Sequence, residues 1–455
     1  MLAAAPTLIR DIPSVADAPA RMLALHAGEP TRYPVLLDSA ATGGALGRFS
    51  ILLAAPGERL VLDREGRLEG PGTGTRFCAR LNDWWRTQRG AAPPAPWPFA
   101  GGWFLYLGYE LAAEVEPTLQ LPKSPLPIVA CAWRMRAALV HDHSTGRSVI
   151  AAEPDAAAEA AGLAEDFERA SISGGEEASP AVGPISEDDP ETYLEACCRA
   201  LEHIAAGDVY QANLARRWRV PLAPGLSPSV LYRRLRAANP GAFAGSAAMP
   251  GFWILSSSPE RLVRVRGLQV DTRPIAGTRP RGQHADAAAI AELTGSAKEQ
   301  AEHVMLIDLE RNDLGRLCEA GTVQVDEFMV VESYTHVHHI VSNVSGRLRA
   351  DVEPGDVIRA LFPGGTITGC PKVRCMQLIG DLEGVGRGAY TGAMGYLAAD
   401  GSLDLNILIR TMTLQDREIE LRAGAGIVAD SVPARELEET RAKARGLLRA
   451  LGSPQ

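Results

Sequence analysis

The sequence predicts an α+β protein with largely antiparallel sheets. Strand-like segments outnumber helical ones, and they follow one another directly instead of alternating with helices, so a regular βαβ sheet is not indicated. At 455 residues, with 46% hydrophobic and 22% charged residues, the chain has the length and composition to bury a sizeable core.

Up to about residue 150, YPVLLDS, FSILLAA, ERLVLD, GGWFLYLGYE and RAALVHD read as short strands between turns. An Ala- and Glu-rich helix is expected over 156–170. The stretch SISGGEEASPAVGP, 171–184, follows, and its Gly, Ser, Pro and Glu content marks an exposed linker. A boundary there divides region 1–175 from region 176–455. The second region opens with a helix over 190–206, ended by Gly207, and continues with strands near VYQANLARRWRV, FWILSSSPERLVRV and LQVDTRPI. Apolar residues at helical spacing predict a strong helix over 296–315. Strands are expected near FMVVESYTHVHHIVSNV, GAYTGAMGYLAA, SLDLNILIRTMTL and EIELRAGAG, then a closing helix over 433–449. No internal repeat or coiled-coil heptad is present.

The net charge of −9, with 55 acidic against 46 basic residues, argues against a nucleic-acid binder, which needs a basic face. The seven cysteines form no C-x-x-C pair, so neither a zinc knuckle nor a disulfide framework is indicated. MLAAAPTLIRDIPS makes a poor signal peptide, and no run of 18 apolar residues suits a membrane span. A cytoplasmic, reduced protein without membrane contacts is expected.

The stretch TRPIAGTRPRG, 272–282, holds three arginines around a bare Ala276, as if built for an anion yet lacking a nucleophile. Two motifs mislead. GAGIVA, 424–429, matches G-x-G-x-x-A but has only one helix after it, where a dinucleotide site needs a further parallel strand and a distant acid. FPGGTITGCPK, 362–372, departs from a phosphate loop at Cys370 and Pro371. With Pro371 at a first helical position, Gly365, Thr366 and Gly369 would lie at a helix N-terminus suited to a carboxylate.

Glu299 and Glu302 share a face of the 296–315 helix, and Glu436 and Glu439 a face of the last helix, with Lys443 four residues on. Either pair alone reads as a solvated face with salt bridges. Together they suggest facing helices that offer carboxylates to Mg²⁺. A dianionic substrate beside such acids would meet a cost on the order of 4 kcal/mol per like-charge contact at ~4 Å in a moderate dielectric, which a bridging cation removes. In YTHVHHIVS, strand alternation puts His336 and His338 on one face and His339 on the other; packed histidines and a general acid are both open readings. Arg410 stands in the otherwise apolar LNILIRTM, where a structural ion pair and a ligand-binding fork are alternatives.

The motifs GDVYQANLARR, SSPERLV, TRPIAGTRPRG, AEHVMLIDLERNDLGR, THVHHIVS, PGGTITGCPKVR, GAYTGAMGY, IRTM and AGAGIVADSVPARELEETRAKA occur in order. In this the chain resembles the chorismate-utilising enzymes, from about residue 35 onward. The resemblance implies one interwoven body, an antiparallel β-sandwich with outer helices. It implies Mg²⁺ held by Glu299, Glu302, Glu436 and Glu439, and catalytic positions at His339 (the general acid), Glu260, Gln211 and Ala276. Substrate contacts are implied at Thr366, Tyr390, Arg410, Gly424, Gly426, Lys443, Gly277 and Thr278. LLDS and GRFS are similar to the family's tryptophan pocket, which would involve Ser39 and Arg48.

Family members that hydrate chorismate carry a lysine where Gln211 stands, so amination by ammonia is expected. YQANL, SSPER, PGGTITG and LDLNILIRT are more similar to aminodeoxychorismate synthase component I, which aminates C4, than to anthranilate synthase component I, which aminates C2 and releases pyruvate. Ala276 dissents: aminodeoxychorismate synthases read PIKGT there, anthranilate synthases PIAGT. The absence of a G-x-C-x-G elbow implies a separate glutamine amidotransferase as ammonia source. A reading of another class, a non-catalytic tryptophan-binding module, would have no use for the paired glutamates.

Overall fold

The computed structural model describes residues 7–13, 15, 17–41, 46–171, 183–223, 226–280, 286–333 and 337–452, without the side chains of 278–280, 287–289, 297, 298 and 337. Its spine is a pair of 15-residue strands, Phe49–Asp63 and Ile128–Asp142, antiparallel from Phe49↔Asp142 to Asp63↔Ile128. FSILLAA and ERLVLD, expected as two strands, are thus one. Between them Ala55 has φ +53° and Pro56 lacks an N–H, so the register slips and the strand bends without ending.

The bend passes both long strands from one sheet to another. From their Phe49–Leu53 end the ladder continues through Val35–Asp38, Phe243–Met249, Phe252–Ser258, Thr411–Gln415 and Glu418–Ile427 to Gln211–Pro221. From the other end it runs through Gly102–Leu107, Ala393–Ala398, Leu403–Asn406, Arg261–Arg266 and Gln269–Thr272 to Val337–Arg347. Ile275–Pro280 and Gln324–Ser333 complete that second sheet, and every one of these pairings is antiparallel.

Alternate side chains of each strand point to opposite faces. Val35, Ile51 and Phe252 of the first sheet meet Phe104, Tyr106 and Met394 of the second in a shared core. The outer faces are apolar too, and helices cover them. Ala18–Gly28, Ala157–Arg169, Pro228–Ala238 and Pro433–Ala450 pack on the first sheet, and Phe77–Thr87, Ala297–Gly315 and Pro354–Leu361 on the second. The fold is the expected antiparallel sandwich with outer helices. Four of those helices, Ala18–Gly28, Phe77–Thr87, Pro228–Ala238 and Pro354–Leu361, stand where the sequence gives no helix expectation. Most of the 171–184 stretch, and His336, lie outside the described residues.

The helices Pro190–Ala205 and Lys372–Glu383 close over the start of the Gln211–Pro221 strand and the end of Glu418–Ile427, burying Val209, Leu214, Cys375, Ile379 and Ile427. That corner, where a sheet edge and several loops converge, holds most of the residues singled out from the sequence.

Candidate active site

Gln211 begins its strand and is 8% exposed. Its backbone pairs with Cys370, and Gly426 pairs with Asn213 one strand over. A Cβ on Gly426 would collide with Gln211 Nε2; one on Gly424 would stand 2.7 Å from Asn213 Oδ1 and 2.9 Å from the Tyr390 hydroxyl. Glycine here makes room for polar ends. Gln211 Oε1 and Asn213 Oδ1 are both buried with no hydrogen-bond partner, so a ligand has acceptors waiting on one wall. Lys443 Nζ bridges the Gly424 carbonyl at 3.0 Å and Glu439 Oε1 at 2.8 Å. Tyr390 is buried, its hydroxyl pushed up to about 12 by burial, and Arg387 lies 5.6 Å from its ring centroid.

The facing wall comes from the second sheet. Ala276 pairs with Ile340, and a bulge separates it from Thr278, whose backbone opposes His339. Gly277, in the bulge, has φ +64°, which suits glycine, and its Cβ position lies 2.7 Å from Glu299 Oε2. The Thr278 side chain lies outside the described residues. His339 is 1% exposed, with Nδ1 3.4 Å from the Gly277 carbonyl. Burial, and then the Arg410 charge, lower it to about 4, so it is a neutral imidazole at neutral pH.

Arg410 is not inside a strand. Leu403–Asn406 ends before it and Thr411–Gln415 begins after it, because its left-handed φ of +50° interrupts the ladder. Its carbonyl accepts from Ser257 N–H at 3.1 Å and Ser257 Oγ at 3.0 Å, which fixes that turn. Its guanidinium forms no salt bridge among the described residues, and burial lowers its pKa against the opposing charge of Glu260.

Glu260 sits between the strands Phe252–Ser258 and Arg261–Arg266, 4% exposed. Burial is the main cause that raises its carboxyl to about 7; the Glu310 charge adds to this, while Thr366, the Ile275 N–H and Arg410 oppose it. Glu260 Oε1 is buried without a hydrogen-bond partner. Thr366 lies in a short turn, Gly365–Ile367, not at an α-helix N-terminus. Gly369, at φ +127°, and Cys370 pair with Ala212 and Gln211, and Pro371 is the cap of Lys372–Glu383, one residue before its first helical position. The ladder thus takes up Gly369, while the Gly365 N–H faces Glu310.

The four glutamates divide. Glu299 is in the first turn of Ala297–Gly315, where its N–H is capped by Ser296 Oγ at 3.3 Å, with Glu302 three residues on. Glu436 is 8% exposed, and the Glu439 side chain 48%. The all-oxygen donor set, offered from two helices, suits a hard dication, and the Gly277 cradle seats one of its members. Among the described residues, however, no three His, Cys, Asp or Glu side chains already converge as a metal cluster.

Away from this corner, Ser39 and Arg48 line a cavity of about 220 Å³ with Phe49, Met394, Tyr396 and Asn406. Ser39 Oγ donates to the Phe49 carbonyl at 2.7 Å, and Arg48 pairs with Asp142 at 2.8 Å.

Sequence reasoning missed Asn213 and Glu310. Asn213 shares the strand face of Gln211, two residues on. Glu310 falls in the apolar stripe Leu306, Ile307, Leu314 of its helix and is 6% exposed. Both signals were present in the pattern.

Among the described residues, buried acceptors without partners, a cation without a salt bridge, a carboxyl that titrates near neutrality and a neutral imidazole are thus set on these neighbouring elements. Comparison with known proteins makes the class specific. The description of chorismate binding enzymes matches residues 47–449. An anthranilate synthase component I-like protein of Synechocystis is 40% identical, across 89% of this chain and 83% of its own length. An aminodeoxychorismate synthase of Streptomyces griseus is 36% identical, across 98% of this chain and 66% of its own. The crystal structure of anthranilate synthase component I from Streptococcus pneumoniae superposes with a TM-score of 0.79 at 30% identity, covering 89% of this chain and 93% of that one. The chain belongs to the chorismate binding enzyme family.

Proposed function

We propose that the chain aminates chorismate at C4 with ammonia from a glutamine amidotransferase, giving 4-amino-4-deoxychorismate on the route to 4-aminobenzoate and folate. Gln211 is the observation that carries amination. A carboxamide cannot take a proton from water, and ammonia needs no such activation. The C4 assignment follows the likeness of YQANL, SSPER, PGGTITG and LDLNILIRT to aminodeoxychorismate synthase. Ala276 favours a second reading, amination at C2 with loss of pyruvate, as in anthranilate synthase.

In the C4 reaction the C–N bond forms, the C–O bond breaks, and the departing hydroxyl takes a proton to leave as water. Glu260, raised to about 7, is the better donor, and neutral His339 serves as a hydrogen-bonding partner beside it. Arg410 and Thr366 hold one carboxylate of the substrate; Tyr390, Lys443 and the backbone at Gly424 and Gly426 hold the other and the ring. Glu299, Glu302, Glu436 and Glu439 would hold Mg²⁺, which neutralises the ring carboxylate when bound. With a methyl group at Ala276, ammonia attacks without an enzyme adduct at that position. The cavity at Ser39 and Arg48 is assigned to tryptophan, and a titration with tryptophan against a Ser39→Ala variant checks it.

The test incubates the purified chain with chorismate, Mg²⁺ and ammonium salt and identifies the product by mass and fluorescence. Aminodeoxychorismate is expected, with no product from glutamine alone and none after chelation until Mg²⁺ is returned. Fluorescent anthranilate would overturn the C4 assignment, and an adduct on the wild-type chain during turnover would overturn direct attack.

A further inference from the structure

Glu310 has no part in that reading, yet it is the most conspicuous acid near the site. An acid in the buried stripe of a helix loses its hydration, and something must meet it. The Ala297–Gly315 helix packs so closely on the Gly365–Ile367 turn that a side chain at Gly365 would strike Leu309, and Glu310 Oε1 comes within 3.4 Å of the same point. The Gly365 N–H and the Thr272 hydroxyl face its carboxylate. Thr366, the next residue of that turn, faces Glu260, and the Glu310 charge raises the Glu260 carboxyl from the other side of it.

The charges around the pair do not balance. Arg410 faces Glu260, and Lys372 faces Glu310. Lys372 is already bound by Asp313, itself buried, and lies 3.5 Å from the Leu361 carbonyl. Three buried carboxyls therefore meet two cations, and Arg410 is the cation a substrate carboxylate recruits. One negative charge is left over in a dry place, and a proton removes it.

We propose that Glu310 is a positioning residue for the proton donor, sharing a single proton with Glu260 across the Gly365–Thr366 turn. The proposal rests on Glu260 as donor. Glu260 gives the shared proton to the departing C4 oxygen, and the ammonium formed at C4 returns one to the pair, so the site ends each turnover as it began. Burial is the first cause that places Glu310, like Glu260, at about 7; Lys372 opposes it and Asp313 adds to it. Two buried carboxyls whose charges act on each other titrate as a pair, in two steps that belong to neither alone.

Infrared titration of the protonated-carboxyl band reads this without turnover. Glu260→Gln assigns the Glu260 contribution, and the buried Glu110, outside the pair, gives a reference. In Glu310→Gln the last proton of the site should be lost about one pH unit lower than in wild type, and the basic limb of kcat/KM should move with it, about tenfold in rate above the limb. Glu310→Asp, which keeps the charge, should restore both. An unmoved Glu260 band in folded Glu310→Gln overturns the proposal. A band that moves while the kcat/KM limb stays leaves the shared proton standing and removes Glu260 as donor. Should Glu310→Gln fail to fold, Glu260→Gln decides: its remaining Glu310 band must titrate lower than in wild type, and an unchanged band overturns the pair.

Discussion

At residues 424 and 426 a hydrogen atom in place of a methyl group decides what the pocket can hold. Both glycines face the Gln211–Pro221 strand, but they differ in what lies opposite. Beyond Gly426 is the tip of a flexible side chain, Gln211 Nε2; beyond Gly424 is backbone, the Leu214 carbonyl 2.7 Å from the Cβ position. Gly426→Ala should therefore keep its melting temperature within a degree or two while activity with ammonium falls at least tenfold, because Gln211 is turned out of its place. Gly424→Ala should cost stability as well, about 1–3 kcal/mol by urea unfolding, since a sheet backbone cannot step aside. Equal stability losses in the two variants would show that Gln211 is not free to yield. This difference was only half visible beforehand. The glycines and Gln211 could be read from the motifs, but Asn213 and Glu310 matter through partners far along the chain, Gly424 and Glu260, and a one-dimensional pattern does not carry those distances.

Elements meet at Arg387. The guanidinium is 2% exposed and donates to Glu383 at 2.5 and 3.0 Å, to the Asn213 carbonyl at 2.7 Å, and to the Ile367 carbonyl and Thr391 Oγ1 at 3.2 Å. It thereby ties the Lys372–Glu383 helix, the Gln211–Pro221 strand and the Gly365–Ile367 turn into one frame, and its planar fork meets all of them at once. Arg387→Met strands Glu383 in the interior and should cost about 3–5 kcal/mol in denaturant unfolding. Adding Glu383→Gln should recover part of that loss, whereas KM for chorismate should stay high in both, because the frame under Thr366 and Asn213 is gone. A single mutant with wild-type stability would mean that the pair is solvated. Elements with strong local signals were readable: the helices Ala297–Gly315 and Pro433–Ala450 lie within two residues of expectation. Phe77–Thr87 escaped because its two tryptophans and Phe77 resemble strand residues taken singly, and only their 7, 8 and 0 spacing along a helix puts them on one buried face.

The whole molecule is harder to read than its parts, because its sheets are closed by partners distant in sequence. The composition of 171–184 suggests two units joined by a tether, yet Val35–Asp38 lies between Phe49–Asp63 and Phe243–Met249, and Gly102–Leu107 lies between Ile128–Asp142 and Ala393–Ala398. Strands from before the stretch are therefore interior members of ladders whose other strands come after it. The site residues named above all follow residue 183, while the cavity at Ser39 draws its walls from both sides. Such pairing has a consequence for cutting the chain. A piece ending at 171 would leave the Val35–Asp38 and Gly102–Leu107 edges open and Phe104 and Tyr106 without their cover; a piece starting at 183 would bare Met394, Phe252 and the complementary edges. Expressed singly, each piece should aggregate or remain unfolded, even though the second carries every proposed catalytic group. Co-expressed, the two should associate, melt in one cooperative transition and recover activity with ammonium, because the cut falls outside every ladder described. Size-exclusion chromatography and calorimetry of the three preparations check this. A soluble, active 183–455 piece on its own would show that the ladders to the first region are dispensable, and that the interweaving serves the cavity at Ser39 and not the fold.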